Sequence, residues 1–216
     1  MSQDKGIHLI VGLGNPGSDY ERTRHNAGFW FLDALAHHFE ARFRHEPKFN
    51  AELARIHVDD ADIWLLKPMS FMNLSGHPTA AAARYYKIEP DHILVVHDEL
   101  DLPPGTMKYK LGGGHAGHNG IKDITAQLGT SAFHRLRLGI GHPRTFGWSQ
   151  AVADFVLSAP SPEHREGIDS MIAAAVKALP RFASGDFVGV TRLLAKYGQL
   201  PKPKADKKEP QSGCAA

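Results

Sequence analysis

The sequence predicts an α/β fold: a single domain on a twisted, mixed β-sheet flanked by helices. Three observations carry this. Short apolar, β-branched runs recur along the chain, with stretches of helical spacing between them, and that alternation builds α/β sheets. Two pairs of runs look hairpin-connected, so the sheet is mixed rather than purely parallel. Finally, 216 residues, 42% of them hydrophobic, make one sizeable core rather than two. No internal repeat is present.

Residues His8–Gly14 read as a buried strand ended by glycines. Asp19–His25 is polar and reads as a loop. Asn26–Ala41 has helical spacing, with Phe29, Leu32, Leu35 and Phe39 on one stripe and Asn26 placed to cap it. Glu52–Val58 and Asp62–Lys67 are strands that turn at Asp59 and Asp60. Pro68–Gly76 is a loop, and His77–Tyr86 an alanine-rich helix. His92–His97 is a further apolar strand, running into an acidic loop, Asp98–Asp101, and a Pro-Pro-Gly turn ending at Gly105. Met107–Leu111 is a short strand, followed by the glycine-rich stretch Gly112–Gly120. Ile121–Leu128 is a helix and His134–Gly141 a strand. Ser161 and Pro162 form an N-cap and N1 pair that opens one helix to about Ala183. Val188–Lys196 is the last helix. The domain is expected over 1–200, with a disordered, lysine- and proline-rich tail over 201–216.

Composition excludes several classes. The apolar runs are far shorter than a membrane span. The N-terminal residues lack the basic region and cleavage site of a signal peptide. The single Cys214 lies in the tail, where it forms no internal disulfide and makes a poor nucleophile, which fits a reducing, cytoplasmic compartment. Net charge is +2, all of it in the tail, so the body is neutral. Charge is nevertheless localised. From Gly105 to Arg144 stand Lys108, Lys110, Lys122, Arg135, Arg137 and Arg144 against Asp123 alone. Such a stretch is either a solvated surface or an anion site.

Gly12–Gly17, GLGNPG, satisfies the dinucleotide pattern G-x-G-x-x-G directly after the first strand. That loop requires a helix beginning at the glycines and an acid about 20 residues on, at the end of a second strand. Here the helix starts near Asn26, and the acids at that distance, Asp33 and Glu40, fall on it. Pro16 also removes one N–H from any phosphate cradle. The glycines are therefore expected simply to turn the chain. Asn15, at the strand end, stands where α/β sheets bind ligands.

Four loops at strand ends carry related chemistry: Thr23–Asn26, Phe71–Gly76, His97–Asp101 and Gly112–Gly120. Loops on one sheet edge converge, so histidine, aspartate and asparagines are expected to meet. A histidine held by an aspartate is a general base, and His25 with Asp98 fits that role. No G-x-S-x-G elbow is present and the cysteine is in the tail, so water is the nucleophile favoured. Asparagine amides donate to a developing oxyanion. The chemistry this favours is hydrolysis of an ester or another activated acyl group. A metal hydrolase built on His97, Asp98, Glu99, His115 and His118 is the competing reading, although H-E-x-x-H is absent. A third is an RNA-binding module without catalysis. Glu99 and Asp101 read as solvated loop acids, and Phe71 and Met72 as core or as a substrate groove.

Asn15–Gly17, Tyr20, Thr23–Gly28, Phe71–Gly76, His97–Gly105 and Lys110–Gly120 together resemble the bacterial peptidyl-tRNA hydrolase family, over about residues 7–197. The resemblance implies that family's fold and a monomeric, metal-independent esterase without a cofactor. Such an enzyme cleaves the ester between a peptide and the 3′ end of tRNA, recycling peptidyl-tRNA released from ribosomes. It implies that His25 is the base that activates water and Asp98 its support. Asn15 would distinguish peptidyl-tRNA from aminoacyl-tRNA with a free amine. Asn73 and Asn119 would position substrate, Asn119 also holding the water. Tyr20 and Phe71 would contact the tRNA end and the peptide. Lys110 and Arg137 would clamp the tRNA 5′-phosphate.

Overall fold

The structure, a computed structural model, describes residues 6–196; the expected tail lies outside the described residues. In chain order the elements are β1 (Leu9–Gly12), α1 (Ala27–His38), β2 (Arg44–Glu46), β3 (Ala51–Val58), β4 (Ala61–Pro68), α2 (Gly76–Tyr86) and β5 (Ile93–Glu99). There follow β6 (Met107–Leu111), α3 (Asn119–Leu128), β7 (His134–Gly139), α4 (Val152–Val156), α5 (Pro162–Val176), α6 (Leu179–Ala183) and α7 (Phe187–Ala195).

The strands form one mixed sheet in the order β2-β3-β4-β1-β5-β7-β6. Its centre is parallel: β1 pairs with β4 and β5, and β5 with β7. Both edges are antiparallel. Every residue of β1 and β5 is buried, as expected for parallel strands covered on both faces. Alternate side chains divide the core. Ile10, Leu94, Val96, Leu136 and Leu138 pack with Phe31 and Leu35 of α1 and with Ile172, Leu179 and Phe182 of the C-terminal helices. Leu9, Val11, Val95 and Leu66 pack on the other face with Ala83 of α2, Ile121 and Ile124 of α3, and Met72. Among the described residues no helix is long and apolar enough to cross a membrane.

The glycines of the opening motif have a different reason from the one expected. Only Gly17 has positive φ, +104°. A Cβ on Gly12 would collide with the carbonyl of Gly28, and one on Gly14 would enter the Phe29 ring. Gly28 is equally closed, against the Leu13 N–H and the Val96 carbonyl. Two of the three glycines thus let α1 lie directly on β1.

Other expectations shift too. The helix expected to run to Ala183 is two helices, because Pro180 lacks an N–H and its ring excludes the carbonyl four residues back. β3 and β4 form the expected hairpin, and the second hairpin is β2–β3. The short, polar β2 carried no alternation to read. Across the Pro-Pro-Gly turn, β5 and β6 are not neighbours; β7 lies between them. β6 runs antiparallel to β7, with Leu111 opposite His134, so the Gly112–Gly120 stretch leaves from the opposite sheet edge. It reaches the other loops only by running back along the sheet.

Candidate active site

The site lies at the carboxyl ends of β1, β4 and β5, beside the crossing from β4 past β1 to β5. Such crevices bind ligands in open α/β sheets. The chain leaves β1 through Leu13 and Gly14 to Asn15, which is buried. Its backbone is clasped by one side chain. The Asn15 N–H donates to Oδ1 of Asn26, and Nδ2 of Asn26 donates to the Asn15 carbonyl, both at 2.9 Å. Asn26 therefore does not cap α1 with its side chain. Oδ1 of Asn15 accepts the Met72 N–H at 2.7 Å, and among the described residues Nδ2 has no partner. Asn15 stands on the rim of a cleft of about 320 Å³ that Phe29, Trp30 and Met69 also line.

His25 sits on a single 3-10 turn, Arg24–Asn26, just before α1. Arg24 anchors that turn. Its guanidinium is buried against carbonyls of Phe155, Ser158 and Ala159 and over the Phe155 ring. Asp98 does not lie in a loop; β5 continues through Glu99 and carries it rigidly. Nδ1 of His25 lies 2.8 Å from Oδ1 of Asp98, and the two side chains are 13% and 2% exposed. The same oxygen is 3.0 Å from Nε2 of His118. Burial alone pushes the Asp98 carboxyl up, but His25 and His118 together hold it well below the usual carboxylate range. An ionised carboxylate only accepts, so both rings donate to it. His25 then carries its proton on Nδ1 and presents a free lone pair on Nε2. Burial pulls the His25 pKa down, but the Asp98 charge and hydrogen bond outweigh it, and the net shift is upward. His97 points elsewhere: Nδ1 donates to the Asp98 carbonyl at 2.7 Å, and burial holds the ring neutral, with a pKa of about 3.

His25, Asp98, His118 and Asn119 line a cavity of about 390 Å³, closed on one side by Val152 and Val156 of α4. Asn73 and Asn119 are exposed. Tyr20 and Phe71 meet edge to face with centroids 6.1 Å apart, and Phe71 is 55% exposed.

Lys110 and Arg137 sit on the β6–β7 edge. Arg137 is directly opposite Lys108, and Lys110 opposite Arg135, so all four side chains start from one face and Lys110 is diagonal to Arg137. Two expectations are corrected here. Arg135 is not part of an anion surface: it is buried and donates to the carbonyls of Gly113 and Gly114, both at 2.7 Å. Glu99 is not a solvated loop acid: it is buried at the end of β5 and accepts from Nε of Arg137 at 2.7 Å.

Among the described residues, the group able to approach a metal is His25, Asp98 and His118, with ligand atoms within 4.8 Å of one another. His97 and Glu99 are committed elsewhere and His115 is exposed. The contacts at 2.8 and 3.0 Å have hydrogen-bond lengths.

Sequence reading singled out Asn26, His118 and Glu99 for other roles. Asn26 and His118 have no periodic signal; each acquires its partner only through the fold.

An α/β sheet with a His–Asp pair beside a cavity at the carboxyl ends of its strands is an arrangement that suits a hydrolase. The chain belongs to the peptidyl-tRNA hydrolase family, whose sequence pattern matches residues 9–203. It is 56% identical over 188 residues to a peptidyl-tRNA hydrolase of Neisseria gonorrhoeae (strain NCCP11945), covering 87% of this chain and 96% of that one. With a Bordetella avium (strain 197N) peptidyl-tRNA hydrolase it shares 54% over 188 residues, 87% and 91% of the two chains. A crystal structure of peptidyl-tRNA hydrolase from Acinetobacter baumannii superposes with a TM-score of 0.86 at 40% identity, covering 92% of this chain and 99% of that one.

Proposed function

We propose that this chain, as one catalytic domain over residues 1–200, hydrolyses the ester joining a peptide to the 3′ end of tRNA. The observation that carries the mechanism is the bond from His25 Nδ1 to Asp98 at 2.8 Å, which leaves Nε2 free to act as base on a ring that lines the cavity. Nε2 takes a proton from water, and the hydroxide adds to the ester carbonyl. The exposed amide of Asn119, which lines the same cavity as His25, supports donation to the oxyanion and holding of the water, and Asn73 supports substrate positioning. Collapse breaks the bond to the ribose 3′-oxygen, which takes the proton back from the imidazolium.

Asn15 supplies the substrate check. Its Oδ1 is occupied by Met72, so what it offers a substrate is an N–H. A peptide carbonyl accepts that bond, whereas a free α-ammonium offers only donors and a charge. Tyr20 and Phe71 support stacking of the tRNA end and contact with the peptide. Lys110 and Arg137 support a phosphate clamp. No step calls for a cofactor or a metal. The same reading carries a monomer acting in the cytoplasm, where tRNA substrates arise.

The test is release of N-acetyl-aminoacyl groups from charged tRNA, with free-amine aminoacyl-tRNA as control. Selective release of the acetylated form is expected. His25→Ala is expected to lower it by at least about 10²-fold, the scale of a lost general base, while tRNA binding survives. Equal release from both substrates, or unchanged turnover in His25→Ala, would overturn the reading.

A further inference from the structure

Glu99 is the one carboxylate that forms an ion pair with the cations of the β6–β7 edge among the described residues. It is buried, and both its oxygens are used. Oε2 accepts from Nε of Arg137 at 2.7 Å, and Oε1 accepts the Asp101 N–H at 3.1 Å. The Arg137 side chain is 23% exposed, and among the described residues neither of its Nη groups has a hydrogen-bond partner. One bond at Nε fixes the guanidinium plane and leaves the outer fork open, the geometry that takes a phosphate. The same carboxylate opposes the phosphate, because a fixed negative charge in a buried setting is weakly screened.

We propose that Glu99 is a positioning residue that aims Arg137 at the tRNA phosphate and weakens its hold, so that tRNA leaves after hydrolysis. This rests on Arg137 being part of a phosphate clamp. An arginine without the carboxylate would bind tRNA more tightly but would be free to swing. With it, the clamp has a set direction and only part of its charge. Glu99 also follows Asp98 on β5 and lines the same cavity as His25, so the carboxylate that holds Arg137 and the one that holds His25 share one rigid strand.

The experiment measures the Kd of deacylated tRNA against salt concentration, and KM for N-acetyl-aminoacyl-tRNA, in Glu99→Gln, Arg137→Ala and the double variant. Glu99→Gln keeps an acceptor for Arg137 and removes the charge. It is expected to bind tRNA at least about 3-fold tighter at low salt, with a salt slope steeper by up to about 0.9, the value of one phosphate contact. KM is expected to fall with Kd. Tighter binding and a steeper slope are gains that structural damage does not produce. Arg137→Ala strands the buried carboxylate and is expected to weaken binding more than Lys110→Ala. Adding Glu99→Gln to it should recover part of that loss, a readout that stands even where the single Glu99 variant folds poorly. Binding no tighter in Glu99→Gln, with no recovery in the double variant, would overturn the role of Glu99 while Arg137→Ala still weakens binding. Unchanged binding in Arg137→Ala would remove the clamp itself, and this role with it.

Discussion

Asn26 holds Asn15 by both backbone polar groups, with two bonds of 2.9 Å spanning eleven residues of sequence. The side chain thus acts as a strand partner would, locking the turn that leaves β1 to the turn that carries His25. Asn26→Ala is expected to destabilise the protein by about 1–3 kcal/mol, two net hydrogen bonds. It should also lower selectivity against free-amine aminoacyl-tRNA, because Asn15 loses its aim. Thermal unfolding and the paired-substrate assay check both; a variant with unchanged melting and selectivity would make the clasp incidental.

The pH dependence follows from His25. In the proposed mechanism His25 works as the neutral ring, and Asp98 stabilises its cation, which raises the His25 pKa above the ordinary 6.5. Activity is therefore expected to fall as pH drops through a midpoint above 6.5. In Asp98→Asn the charge is gone and burial remains, which favours the neutral ring. The acidic limb should move to lower pH while the rate falls at every pH. A limb that stays in place would mean that another group titrates.

For the clamp, Lys110→Ala and Arg137→Ala are each expected to weaken tRNA binding. Each should flatten the slope of log K against log salt by about 0.7–0.9, the value for one phosphate. Arg135→Ala is expected to act differently: it frees the Gly113 and Gly114 carbonyls and should lower stability first. Binding titrations at several salt concentrations, beside thermal melts, separate the two effects.

Chelation tests the competing chemistry. His25, Asp98 and His118 come close enough to approach a metal, so EDTA treatment followed by zinc addition is decisive. Full activity after EDTA is expected. Loss on chelation with recovery on zinc would instead make His25 a ligand.

The packing of α1 on β1 is tested by Gly28→Ala. The new methyl meets the Leu13 N–H and the Val96 carbonyl, backbone that cannot rotate away. A loss of at least about 1–3 kcal/mol is expected, the cost of overpacking, with lower activity through displaced His25. Urea unfolding measures it.

Local chemistry made much of this legible. The apolar runs at β1 and β5 and the hairpin of β3 and β4 follow from side-chain alternation and turn residues. His25 and Asp98 were readable as a pair because loops after parallel strands share an edge, and the structure puts them 2.8 Å apart. GLGNPG was readable as no phosphate cradle, because no helix begins at its glycines. The reason for those glycines was not: Gly12 and Gly14 are small because α1 arrives from elsewhere.

The composition and periods of this chain, by themselves, determine an α/β sheet, its main strands and helices, and a set of histidines, asparagines and acids at strand ends. Only the tertiary structure decides how those groups are divided. It covers Arg135 with the glycine-rich stretch while leaving its neighbour on the same face, Arg137, partly exposed, buries Glu99 against Arg137, gives His118 to the same oxygen as His25, and sets Asn26 to grip Asn15. The physical reason is that period and propensity act over a few residues, whereas a buried polar group must find its partner wherever the packed chain supplies one. Those partners stand 11 to 38 residues away here.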